Sequence, residues 1–154
     1  MQTKNLNVVY LGQSYAGFDF SGLPLAAALI VAAQQIDDAA DAARIAVLGD
    51  SLRALEYERA AVEAEAFAAG GYTGDMPPSV QAWADAAELE PKAAADSIIA
   101  EAEAWQTALY AIRAARLKGK QRVLKATSHD AAEALADTAI ADIRESIVGV
   151  GNAA

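Results

Sequence analysis

Forty-one of the 154 residues are alanine, and no other feature limits the fold of this chain so strongly. Alanine is the best helix former and is poorly suited to strands, where bulkier β-branched and aromatic side chains pack the pleated surface. A core built largely from it must come from closely approaching helix backbones rather than from thick layers of side chains. The hydrophobic fraction of 55% therefore overstates the apolar bulk, since aromatic residues make up only 6%. Four prolines and ten glycines argue against a loop-rich all-β chain. The length fits one domain with a sizeable core. The absence of cysteine removes disulfides, thiolate catalysis and cysteine-bound metals.

The chain carries 21 acidic and 12 basic residues, a net charge of −9. That sign opposes a general nucleic-acid binder, because phosphate recognition needs a positive field. The basic charge is one short island, Arg113, Arg116, Lys118, Lys120, Arg122 and Lys125, in an otherwise acidic chain. It lacks the interleaved aromatics of a single-strand binder, so its expected counterpart is an acidic protein surface or the chain's own helices. Arginines near a helix carboxyl end are also favoured by the macrodipole. The longest uncharged apolar run, Leu23 to Ala33, is far short of the roughly 20 residues of a membrane span. Residues Met1 to Asn7 are polar, unlike a secretory signal. These features lead to the expectation of a soluble protein made in the cytoplasm.

The reading along the chain is a mainly α architecture of about five helices behind an amino-terminal extended arm. Residues 1–22 form the arm, a short strand or hairpin with Val8, Val9, Tyr10, Leu11, Tyr15, Phe18 and Phe20 as candidate protein-contact residues. An isolated hairpin is marginal in water, so it must lie on its own helices or on a neighbour. The helical domain spans 23–148 and a flexible tail, with Gly149, Gly151 and Asn152, spans 149–154. Leu25, Leu29, Ala32, Ile36, Ala39, Ala43 and Ala46 follow a four-three spacing on a first helix from Pro24 to Leu48. A second, capped by Asp50 or Ser51, runs to about Ala69 with Leu52, Leu55, Val62 and Ala66 on one face. A short helix from Ser79 to about Ala87 follows the Tyr72–Pro78 turn, and Pro91 opens the longest helix. The apolar face of that helix is Ile98, Ala102, Trp105, Leu109 and Ile112, with Gly119 placed to bend or fray its end. Thr127 or Ser128 caps a last helix that turns Leu135, Ile140, Ile143 and Ile147 inward. Trp83, Trp105, Leu109 and Ile112 are the expected core anchors, and Trp105→Ala is expected to be severe.

Two stretches imitate hydrolase motifs. Ile45-Ala-Val-Leu-Gly-Asp-Ser-Leu52 matches the nucleophile block of the GDSL esterases. The lone histidine, His129, has Ala126 rather than an acid three residues before it, and the asparagines do not fit the later blocks. Ser51 therefore reads as a helix cap. Gly12-Gln-Ser-Tyr-Ala-Gly17 approximates a nucleophile elbow but has Ala16 where glycine is required, and reads as a turn. His129 reads as exposed in the first turn of the last helix. Asp37, Asp38 and Asp41, and Glu56, Glu58, Glu63 and Glu65, have the spacing of solvated helix faces. With no catalytic residue, metal site or cofactor assigned, the chain is expected not to be an enzyme.

The run Phe67-Ala-Ala-Gly-Gly-Tyr-Thr-Gly-Asp-Met-Pro-Pro-Ser-Val-Gln-Ala-Trp-Ala84, then Ala93-Ala-Ala-Asp-Ser-Ile-Ile-Ala-Glu-Ala-Glu-Ala-Trp105, then Ala111-Ile-Arg-Ala-Ala-Arg-Leu-Lys-Gly-Lys120, resembles a group of small helical proteins from the tail gene clusters of tailed bacteriophages. The Gly-Tyr-Thr-Gly turn, the prolines, Val-x-x-Trp-Ala, the second tryptophan and Ile-Arg-x-x-Arg occur in that group in this order. The resemblance covers a little under half of the chain and leaves the arm outside it. It implies a tail or tail-fibre associated virion protein, at the tip, baseplate or fibre, contacting other tail proteins and its own copies as a homo-oligomer. A tail or tail-fibre assembly chaperone, absent from the mature particle, is the alternative that it implies.

Overall fold

The computed structural model describes residues 1–49 and 51–150, and for Ser51 the backbone alone. Among these, the chain is mainly helical, with five α-helices behind a two-stranded antiparallel hairpin. The strands are β1, Leu6–Tyr10, and β2, Gln13–Phe18, followed by a 3₁₀ turn at Phe20–Gly22. The helices are α1, Leu25–Leu48; α2, Ser51–Ala69; α3, Pro78–Ala87; α4, Pro91–Val123; and α5, His129–Glu145. The expected tail beyond Val150 and the candidate cap Asp50 lie outside the described residues.

Local chemistry explains most of the boundaries. Tyr10 pairs with Gln13 across a two-residue loop in which Leu11 and Gly12 both have positive φ, 48° and 79°, as a type I′ hairpin turn demands. The stretch from Gly12 to Gly17 is thus a tight turn leading into a strand, and Ser14 sits on β2 opposite Val9. The ladder slips by one residue between Leu6 and Asn7, where Gly17 N–H donates to Asn7 Oδ1 (3.0 Å). Pro24 stands just before α1, and its carbonyl accepts from Ala28 N–H. Pro78 and Pro91 are the first residues of α3 and α4, where a missing N–H costs nothing. Of the two candidate caps of α5, Ser128 performs the role, its hydroxyl accepting from Ala131 N–H (3.2 Å).

The molecule divides into two compact units, a division that falls within α1 and α4. The first comprises Met1–Arg44 and Leu109–Val148. Its buried residues include Leu6 and Phe20 of the arm, Leu23 just before α1, Ala28, Ala32, Ile36 and Ala40 of α1, Ile112 and Val123 of α4, and Ala132, Ala136, Ile140 and Ile143 of α5. Here alanine acts as the composition requires. Gly119 is buried inside α4, which continues past it to Val123 rather than bending or fraying there. A Cβ at this position would overlap the Ala139 Cβ and lie 3.4 Å from Ile36 Cδ1. The glycine therefore serves the close approach of three helices.

The second unit comprises Ile45–Ala108 with Gly149 and Val150. Its core is Ala64, Phe67, Val80, Ala84, Ala94 and Ala95, against which Tyr72, Met76, Trp83, Ile98 and Ile99 pack. Phe67 meets the Tyr72 ring edge-on at 5.8 Å, and the Tyr72 hydroxyl donates to Asp96 (2.6 Å). The expected inward face of α2 is corrected here. Leu52, Leu55, Val62 and Ala66 are exposed, and Ala64 and Phe67 are the residues turned into the core. On α1 the buried stripe is broader than the expected seam and leaves Ala46 exposed.

Candidate functional site

The hairpin is held at its root and open at its tip. Leu6 and Phe20 are buried in the first unit, and Phe20 N–H donates to the Thr3 carbonyl (2.9 Å). Gln2 and Gln35 exchange hydrogen bonds of 2.6 and 2.9 Å, and Lys4 pairs with Asp19 (2.6 Å). His129 is half-buried rather than exposed: its Nε2 lies 2.9 Å from the Leu23 carbonyl oxygen and its ring meets Phe20 edge-on at 5.7 Å. The histidine is a tether between the end of the arm and α5, a role that no local sequence signal announces. Toward the tip, Val9 is 69% and Leu11 88% exposed. Val8, Tyr10 and Tyr15 are half-buried, and Phe18 is exposed against the edge of Tyr15. Of the candidate arm contacts, Phe20 is spent on the protein's own core.

The basic island does not act as one patch. Arg116 and Lys120 both reach Asp37 on α1, Arg116 at 2.9 Å. Burial works to raise the Asp37 carboxyl, but the hydrogen bonds and charges of Lys120 and Arg116 outweigh it and hold the group below its ordinary value. Asp37 is thus a half-buried partner for two cations rather than part of a solvated face. Arg113, Lys118, Arg122 and Lys125 are exposed. Glu63 is likewise half-buried: it accepts from Ser79 N–H at the start of α3 (3.0 Å) and pairs with Arg59 (3.0 Å). The Ser79 bonds, followed by Arg59, hold its carboxyl below the ordinary range. The Pro77 ring carries no acceptor with which to cap α3, and a carboxylate from α2 does so instead.

The second unit holds a cavity of about 150 Å³ lined by Tyr57, Ala60, Ser79, Trp83, Ile98, Glu101, Ala102 and Trp105. Of the expected core anchors, Ile112 is fully buried, Leu109 is half-buried, and the two tryptophans are half-buried pocket walls. Trp83 Nε1–H donates to Ser97 Oγ (2.8 Å), which in turn donates to the Ala94 carbonyl (2.9 Å). The Tyr57 and Trp105 rings lie 4.4 Å apart, tilted by 54°. The Trp105 indole N–H is buried and finds no acceptor among the described residues. Glu101 has no ion pair among them, and burial alone pushes its carboxyl above the ordinary value. The spacing of Trp105, Glu101 and Ile98 on α4 was open to inspection in the sequence, but Tyr57 and Trp83 come from other helices and only folding brings them there.

Among the described residues, no group of three or more His, Cys, Asp or Glu side chains is arranged to hold a metal ion, and no helix is long and apolar enough to cross a membrane. Ser51 is the first residue of α2, and His129 is engaged by the Leu23 carbonyl. No protein family, curated protein or solved structure matches the chain.

Proposed function

We propose that this chain is a non-enzymatic structural protein of a bacteriophage tail, at the tip, baseplate or fibre attachment, that works through contacts with other tail proteins and with its own copies. In this reading it is made in the host cytoplasm and incorporated into the virion. The observation that carries the contact role is Leu11. It sits in the left-handed region, which costs a branched side chain about 1–2 kcal/mol, and it is 88% exposed at the apex of the hairpin. A site that wanted only a turn would use Asn or Gly, so a strained, solvent-facing leucine is best accounted for by a partner that buries it. The two-stranded sheet also leaves outer edges to which a further strand can add. The tail assignment rests on the resemblance of the run from Phe67 to Lys120.

The assembly-chaperone reading is favoured by a different feature, the exposed apolar face of α2 with Leu55 and Val62, which suits transient cover of another protein's apolar surface. Mass spectrometry of purified particles separates the two: a structural component is present in each particle, and a chaperone is absent. Leu11→Asn is expected to stabilise the isolated chain by about 1 kcal/mol while reducing incorporation into particles. Unchanged incorporation would remove the hairpin tip from the contact surface.

A further inference from the structure

We infer that the pocket between α2, α3 and α4 in the second unit is a binding site for a compact quaternary ammonium compound, with Tyr57, Trp83 and Trp105 as its aromatic walls and Glu101 as its counter-ion. Three features of the pocket lead to that ligand class. Three aromatic side chains from three helices line one cavity of about 150 Å³, and aromatic rings attract a cation through the negative potential of their faces. Glu101 lines the same cavity with no ion pair among the described residues, so the pocket contains an unmatched negative charge at a partly desolvated position. Finally, the segment Ile45–Ala108 carries twelve acidic and three basic residues, a field that concentrates cations around the pocket.

The polar groups select among cations. A primary ammonium loses strong hydration on entering and needs acceptors for three N–H groups. This pocket is mostly apolar, with Ile98, Ala60 and Ala102 beside the rings, and its lining side chains offer one carboxylate and the neutral hydroxyls of Ser79 and Tyr57. A methylated ammonium has no N–H to satisfy, is weakly hydrated and presents methyl groups to the rings. Preorganisation favours binding as well: Trp83 is fixed through Ser97, and Tyr57 already rests against Trp105. The inference is independent of the tail assignment and stands or falls without it.

Both tryptophans of the chain line the pocket, so their emission reports on it directly. The full-length protein would be titrated with choline chloride at constant ionic strength, alongside ethanolamine and the uncharged isostere 3,3-dimethylbutan-1-ol. The expected result is a saturable change with choline in the millimolar range or tighter, with ethanolamine and the neutral alcohol each binding about tenfold more weakly. Glu101→Gln, shown to be folded by far-UV circular dichroism, is expected to lose about tenfold for choline and nothing for the alcohol. Equal affinity for choline and the alcohol would overturn the inference, as would an absence of saturation with choline or an unchanged affinity in the glutamine variant. If that variant does not fold, the comparison of the three ligands on the parent chain decides.

Discussion

The two units of this molecule handle charge in opposite ways. Residues 1–44 and 109–148 together carry nine acidic and nine basic side chains, so the whole net charge of −9 belongs to Ile45–Ala108. In the first unit, charges distant in sequence are matched: Asp37 takes Arg116 and Lys120, and Lys4 takes Asp19. In the second, pairs such as Arg59–Glu63 and Lys92–Asp96 are one helical turn apart, and Glu101 has no such partner among the described residues. The cores differ in parallel. One is a close approach of helices that leaves no room for a Cβ at Gly119. The other sets four alanines around Phe67 and Val80, with the rings of Tyr72 and Trp83 packed against it and a cavity at its edge. A unit whose half-buried carboxylate takes two cations and whose helices close on a glycine is held together by long-range contacts, whereas one that leaves a carboxylate without an ion pair beside an aromatic pocket has given up stability at the place we propose for binding.

The largest effect that tests this contrast is truncation in the first unit. Ile112→Ala is expected to cost about 3 kcal/mol in chemical denaturation, because a fully buried side chain is removed from a tightly packed site. Trp105→Ala is expected to cost less despite its larger volume, since the indole is a half-buried pocket wall, and a greater loss there would erase the distinction. Gly119→Ala comes next. Helix propensity alone favours alanine by about 1 kcal/mol, yet the overlap with Ala139 should reverse the sign and leave a net loss of about 1–2 kcal/mol, read as a lower denaturation midpoint.

Smaller still are the two titrating carboxyls, whose signs oppose each other. Asp37 is held below its ordinary value, so its contribution is present above the unfolded-state pKa and is lost as pH falls through the folded one. Asp37→Asn should therefore destabilise by about 1 kcal/mol at neutral pH, with the difference from the parent vanishing in acid. Glu101 is held above its ordinary value and behaves conversely: it costs nothing in acid and destabilises the fold as pH rises past the unfolded-state pKa. Glu101→Gln is expected to raise the melting temperature slightly at neutral pH and to leave it unchanged in acid. If both variants shifted in the same direction, the charge contrast between the units would fail.

Much of the fold was legible in the chain because its boundaries are local events. Pro78 and Pro91 start helices, Ser128 caps α5, and the glycine pair at 70 and 71 ends α2, all through chemistry within a few residues. The α2 face was not legible. Alanine lies on every side of that helix, so the spacing of Leu52, Leu55 and Val62 describes a stripe as good as that of Ala64 and Phe67, and periodicity cannot say which faces the core. Asp37, Glu63 and His129 depart from what their own segments announce for a related reason. Each belongs locally to a polar stretch, and its partner is 16 to 106 residues away.

By itself, then, the sequence determined a helical protein with an amino-terminal hairpin, because alanine, proline and glycine act through backbone preferences that need no distant neighbour. It also determined the acidity of the middle of the chain. Only the tertiary structure decided which leucines are left facing solvent, which two cations Asp37 neutralises, and that Tyr57, Trp83 and Trp105 meet around Glu101. Those outcomes depend on contacts between residues far apart in sequence, and burial and charge pairing become defined only once these contacts exist.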